Sequence, residues 1–183
     1  MLLNSTIRRA SRSAVVATLL AASASVAAAQ RFESGPIYAG PRIWTGNLNG
    51  ATAIGVQAEK GVTKAGAYGP GVISAGVGID RYSWDYAFPG GKYEYSVTPI
   101  QLFSNYHIQI ASQPKLDPYA GLAFVYSIVS ASTTGIAVGS ATESYMDIAG
   151  QVGARYFLTE KFAVQGQLGF GYGTLSLGAT WRF

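Results

Sequence analysis

From residue 37 to the C-terminus, apolar and polar residues alternate one by one in stretch after stretch. In "FAVQGQLGFGY", Phe162, Val164, Leu168 and Phe170 stand against Ala163, Gln165, Gln167 and Gly169. The chain's last nine residues, "LSLGATWRF", set Leu175, Leu177, Ala179, Trp181 and Phe183 against Ser176, Gly178, Thr180 and Arg182. A period of two is that of a strand whose two faces meet different surroundings. Eight such runs can be read, over residues 37–46, 51–62, 72–87, 92–108, 117–131, 142–157, 162–171 and 174–183. Between them lie "GNLNG", "TKAGAYGPG", "PGGK", "SQPKLD", "STTGIAVGSATE", "TEK" and "GYG", segments rich in turn residues. No stretch carries apolar residues at helical spacing and none reads as a linker. The pattern predicts one all-β domain of eight antiparallel up-and-down strands.

The length of the runs changes the picture. Strands of soluble domains are typically about 5 or 6 residues, whereas a tilted strand needs roughly 9 to 11 to cross a bilayer. The faces point the same way. One carries aliphatic residues: Ile37, Ala39 and Ile43; Ile54, Val56 and Ala58; Ile73, Ala75, Val77 and Ile79; Met146, Ile148, Val152, Ala154 and Tyr156. The other carries Tyr38, Gly40, Arg42 and Trp44; Gly55, Gln57 and Glu59; Ser74, Gly76, Gly78 and Asp80; Asp147, Ala149, Gln151, Gly153 and Arg155. In the fourth and fifth runs Ile100, Leu102, Leu122 and Phe124 are assigned outward, and Gln101, Asn105, Gly121 and Ala123 inward. A soluble barrel would need charges spread over its outside and an apolar interior. Here the polar face, rich in Gly and Gln and poor in Lys, reads as a lumen and the aliphatic face as a lipid surface. The expected fold is an eight-stranded transmembrane β-barrel.

Aromatic residues gather near run ends. Tyr106, Tyr119, Tyr156, Phe157, Phe162, Trp181 and Phe183 fall toward one rim. Trp44, Tyr82, Trp84, Tyr86, Phe88, Tyr93, Tyr95, Tyr126, Tyr145 and Tyr172 fall toward the other. Two such rings are expected to form the girdles of a membrane barrel.

The first residues account for part of the composition. Arg8, Arg9 and Arg12 precede "AVVATLLAASASVAAA", too short to span a bilayer as a helix, and Ala27 and Ala29 form an A-x-A cleavage site. Residues 1–29 are expected to be a cleaved signal peptide using the general secretory route, with Gln30 as the new terminus. Residues 30–36 form a short periplasmic lead before a barrel over 37–183. The formal charge of +4 then loses its meaning: three of the 13 Lys and Arg lie in the signal, which leaves +1 against the nine Asp and Glu. Nothing in that balance points to nucleic acid. Charged residues are only 12% of the chain, about half the usual share, and there is no cysteine. A disulfide framework and a thiolate metal site are thereby excluded.

The signal, the eight runs and an aromatic terminal residue resemble the small bacterial outer-membrane β-barrels of the OmpA-transmembrane-domain, OmpX and opacity-protein type. "DPYAGLAFVYS" is similar to that family's Pro-Tyr-x-Gly-x-Gly strand, departing from it at Ala123. The resemblance implies a bacterial outer-membrane location, a periplasmic C-terminus and a monomer in outer-membrane lipid. It implies periplasmic chaperones and the barrel-assembly machinery as biogenesis partners, with Trp181 and Phe183 in the assembly signal. The outer connections then come out short apart from "STTGIAVGSATE", which weighs against adhesion.

The chemistry on offer is a set of charges assigned inward: Arg42, Arg155 and Arg182 against Glu59, Asp80 and Asp147. An unpaired buried charge costs several kcal/mol, so the equal numbers predict pairing, Arg42 with Glu59 first. Tyr38, Trp44, Tyr82, Trp84 and Gln101 decide whether the lumen closes. The only histidine, His107, is expected at the periplasmic rim. No phosphate loop, metal spacing or acidic dyad is present, so neither an enzyme nor a cofactor site is expected. The reading is a structural or envelope-maintaining barrel with a side-chain-filled lumen. The alternatives are a small porin-like channel and a surface-binding protein acting through the third outer loop.

Overall fold

The computed structural model describes residues 32–46, 51–135, 138–170 and 173–183. The expected signal peptide, Gln30 and Tyr172 lie outside the described residues. Eight strands follow in chain order: β1 (Ile37–Thr45), β2 (Ala53–Gly61), β3 (Gly71–Phe88), β4 (Gly91–Ile108), β5 (Leu116–Gly135), β6 (Gly139–Phe157), β7 (Phe162–Phe170) and β8 (Leu175–Arg182). Each pairs antiparallel with its neighbours in sequence, and β1 pairs with β8 to close the ring. The β3–β4 hairpin turns on Pro89 and Gly90, with Phe88 paired to Gly91 and Gly90 at a φ of 100°. Pro followed by a positive-φ Gly is the composition of a type II turn.

Alternation along each strand becomes alternation between outside and lumen. Ile54, Val56, Leu102, Leu122, Phe124, Ile148, Leu168 and Leu177 are exposed on the outside. Arg42, Gln57, Glu59, Asp80, Gln101, Asn105, Gln151, Arg155, Gln165, Gln167, Ser176 and Thr180 are buried inside. A barrel with its aliphatic residues outside and its polar ones within has the surface a bilayer covers. The assignments made for β4 and β5 from alternation alone match this arrangement.

The strands differ in height. Four of them, β1, β2, β7 and β8, are 8 or 9 residues long, whereas β3 to β6 run to 18, 18, 20 and 19. Outward-facing residues change character part of the way up the long strands. Ile79 gives way to Arg81 and Ser83, Ile100 to Thr98 and Ser96, and Met146 to Ser144 and Thr142. Above that level β3 to β6 continue as a four-stranded sheet clear of the aliphatic band. The expectation of short outer elements is therefore corrected. The protrusion is made of strand, so it is invisible to a count of loop lengths.

On the lumen side of this extension Trp84 stacks on Tyr95 at 5.5 Å and Phe88 meets Tyr93 at 4.9 Å. These rings stand above the band and are not part of a girdle. Trp44, Tyr82, Tyr119 and Phe157, also expected at the rims, are buried in the lumen. Their face, set by parity, decides where they lie, and closeness to a strand end does not.

Candidate functional site

The lumen holds two charged clusters. In the upper one, Arg42 of β1 donates from Nε and Nη2 to the two carboxylate oxygens of Asp80 on β3, at 2.9 and 2.7 Å. Its Nη1 donates to Gln57 Oε1 at 2.8 Å, and Gln101 Nε2 donates to Asp80 Oδ2 at 2.8 Å. A two-point guanidinium–carboxylate pair is among the strongest hydrogen-bonded contacts available. The strand between them leaves room. Arg42 registers with Gly55, and Gly55 with Asp80, so no side chain intervenes. A Cβ on Gly55 would strike Asp80 Oδ1, and one on Gly78 would lie 2.5 Å from Arg42 Nη2.

The lower cluster centres on Glu59 of β2. Its Oε1 accepts from Ser74 Oγ (2.6 Å), Asn105 Nδ2 (2.8 Å) and His107 Nε2 (2.9 Å), and its Oε2 accepts from Arg155 Nη2 (2.7 Å). His107 Nδ1 donates to the Asp117 carboxylate at 2.9 and 3.0 Å. With a carboxylate at each ring nitrogen, the doubly protonated ring is the form in which both nitrogens find an acceptor. A relay of amides leads away across the barrel. Tyr119 OH donates to Gln167, Gln167 to Gln151, and Gln151 to Asn105, at 2.9, 2.8 and 2.6 Å.

Apolar clusters lie above and below. At the upper end Trp44, Ala53, Tyr82 and Val97 pack together, with Trp84 and Val129 against them. At the lower end the cluster is Phe32, Tyr38, Val72, Phe157 and Ala163. Tyr38, Trp44, Tyr82 and Gln101 thus occupy the lumen, and Trp84 sits half-buried just above it.

Of the residues singled out from sequence, the barrel brings together Arg42, Glu59, Asp80 and Arg155, but not in the expected pairs. Arg42 does not pair with Glu59, because the register sets Glu59 opposite Tyr38 and Arg42 four residues higher. Asp147 keeps inward parity yet is exposed; among the described residues β6 pairs with β7 no higher than Gly150. Arg182 lies at the lower rim, where its Nη2 donates to Glu33 Oε2 at 2.6 Å. His107, expected at a rim, is fully buried. His107 and Asp117 stand where Arg182 and Asp147 were expected, so three cations and three anions are buried among the described residues. Both share the inward parity of their strands, a signal that could have found them.

Ser74, His107 and Asp117 stand in the order of an acyl-transfer triad, with Ser74 Oγ 3.3 Å from His107 Nε2. The bonding is different. Ser74 Oγ donates its hydrogen bond to Glu59, and in the doubly protonated ring Nε2 donates there too, leaving no lone pair to act as base toward Ser74. Among the described residues no group of three or more His, Asp or Glu is arranged to hold a metal ion.

Trp181 and Phe183 lie outside at the lower end, exposed, with Trp181 against Phe162 at 4.9 Å. Phe183 and Ile37 exchange backbone hydrogen bonds at 2.9 and 3.3 Å.

No protein-family model and no curated protein matches the chain. Among solved structures it is similar to the N-terminal β-barrel domain of Pseudomonas aeruginosa OprF, at 13% identity over 82% of this chain and 98% of that one, with a TM-score of 0.56. It is also similar to Ail, the attachment invasion locus protein of Yersinia pestis, at 12% identity over 81% and 97%, with a TM-score of 0.52. A closed ring of eight up-and-down strands with polar residues inside and an aliphatic belt outside is the fold this chain shares with the eight-stranded outer-membrane β-barrels.

Proposed function

We propose that this protein is a non-conducting barrel of the bacterial outer membrane with a structural, envelope-maintaining role. The observation that carries the reading is the lumen, where a network of paired charges lies between an upper and a lower apolar cluster. An eight-stranded barrel is just wide enough for side chains to fill it. Buried groups such as Gln165 Nε2, Ser176 Oγ and Thr180 Oγ1 have no protein hydrogen-bond partner. They are places for isolated waters, and the apolar clusters above and below them oppose a continuous water path. In this reading the chain is exported with its signal removed and lives in lipid as a monomer. Chaperones and the assembly machinery recognise Trp181 and Phe183. The test is single-channel recording on the refolded protein in planar bilayers. Silence is expected, and a steady, ion-selective conductance would replace this reading with the porin-like one.

A second reading, surface binding, is favoured by the outer extension. Among the described residues β2 pairs with β3 no higher than Tyr82, and β7 with β6 no higher than Gly150. The edges above are unpaired and can accept a strand from another chain. The binding element is then the sheet of β3 to β6 and not the third connection alone. Shortening β3–β4 and β5–β6 to the level of the band should abolish binding of a partner chain if this reading holds.

A further inference from the structure

We infer that the lower mouth of the barrel contains a pocket for an aromatic ring, filled in cis by Phe32, and that residues 32–35 form a displaceable stopper over the lower charge cluster. Phe32 precedes the first strand and carries no strand ladder, yet it is fully buried. Its ring lies flat on His107, with centroids 3.6 Å apart and planes at 8°, and stacks on Tyr38 at 4.5 Å. The Arg155 guanidinium stands 5.2 Å from its centroid. A ring stacked on a histidine and a tyrosine, with a guanidinium within cation–π range, is held by the ring quadrupole as well as by apolar packing. Val72, Phe157 and Ala163 complete the walls.

The lead enters this pocket by a built route. Gly35 has a φ of 115°, a left-handed turn open to glycine that sends the chain back toward the mouth. Gly61 leaves the space through which the lead passes, for a Cβ there would sit 2.7 Å from the Glu33 carbonyl oxygen. Three polar contacts among the described residues fasten the lead. Glu33 N donates to Tyr38 OH at 3.0 Å, Ser34 bridges to Gly61, and Arg182 holds the Glu33 carboxylate. Arg182 and Glu33 are 27% and 46% exposed, so water and salt compete for that latch. One buried ring and a solvent-exposed latch, with no ladder between them, is the construction of a part that can leave while the barrel stays intact. On leaving it uncovers the faces of His107 and Arg155.

The chain has no cysteine, so Ala163→Cys places a single thiol on the pocket wall. The probe is a small, charged, water-soluble methanethiosulfonate applied to the refolded protein in detergent, which makes the result independent of membrane location or function. With the lead intact, labelling should be slow. Adding Phe32→Ala should raise the rate at least tenfold, and Arg182→Ala should raise it by a smaller factor. A synthetic Arg-Phe-Glu-Ser-Gly-Pro peptide should restore protection to the Phe32→Ala protein, and its Phe-to-Ala analogue should not. Fast labelling with the lead intact, no gain from Phe32→Ala, or equal protection by both peptides would overturn the inference. Strand circular dichroism verifies folding. If Phe32→Ala does not fold, Phe32→Leu takes its place, keeping apolar volume without the flat stack on His107. Faster labelling is then expected, and an unchanged rate overturns the stopper.

Discussion

Arg42 and Asp80 meet across a strand that separates them: the guanidinium on β1 reaches the carboxylate on β3 over the bare backbone of Gly55 on β2. Three strands are tied by one buried pair, and the middle strand takes part by having no side chain. Breaking a buried pair by removing one partner typically costs about 3 to 5 kcal/mol, because the other charge is left uncompensated. Asp80→Ala should therefore destabilise the barrel by roughly that amount, and Arg42→Ala/Asp80→Ala should recover part of it. A cycle between Arg42 and Glu59 should give a much weaker coupling. Denaturant unfolding in lipid vesicles measures both.

Gly55→Ala should behave like damage to that pair although it removes no charge. The added methyl occupies the place of Asp80 Oδ1, and the carboxylate can move only by giving up bonds to Arg42. A loss of about 1 to 3 kcal/mol is expected, the usual range for overpacking a filled interior. The same substitution at Gly139, where nothing lies within 4 Å of the added carbon, should change little.

Glu59 and Asp147 separate the charges that hold the lumen from those that do not. Glu59 accepts four side-chain hydrogen bonds, and Glu59→Ala should cost about 3 to 5 kcal/mol. Asp147 is exposed and accepts from the Ile148 backbone amide, so Asp147→Ala should stay within about 0.5 kcal/mol. Equal losses in the two variants would mean that exposure does not sort these positions.

Phe183→Ser should lower the yield of folded barrel in cells more than Val164→Ser does. Both side chains face outward and are exposed, so a purely local effect predicts similar losses. A difference confined to cells, absent when the purified chains are refolded into vesicles, would assign Phe183 to recognition during assembly.

The outer extension should be separable from the barrel. Replacing residues 86–93 by Asn-Gly leaves Asp85 and Glu94, which already pair, to close a shorter hairpin. The unfolding midpoint should stay close to that of the parent, because the removed residues stand above the aliphatic band.

Much of this was legible in the sequence for a physical reason: a side-chain period of two records which face each residue occupies, and a barrel has only two faces. Leu122 and Phe124 outward, and Gln101 and Asn105 inward, follow from parity. Height is a different quantity. It depends on register, which hydrogen bonding across the strands determines, and so alternation alone does not give the partner of Arg42. The hairpin around "GNLNG" held a clue, since counting outward from its centre brings Arg42 close to Gly55. Strand-end aromatics such as Tyr119 and Phe157 are deceptive because parity, and not closeness to a turn, decides their place. Phe32 had no signal at all, because the lead has no alternation and its burial is a property of the finished mouth.

Ring closure gives the chain an uneven folding problem. Seven of its eight ladders join strands adjacent in sequence, and each can form by adding one hairpin to the last. The β1–β8 ladder alone must bring together residues as far apart as Tyr38 and Arg182, so the loop-closure entropy of the whole barrel falls on one seam. That seam carries Pro41, which has no amide hydrogen to give to β8. The ladder with the largest loop to close is thus also short of one backbone hydrogen bond.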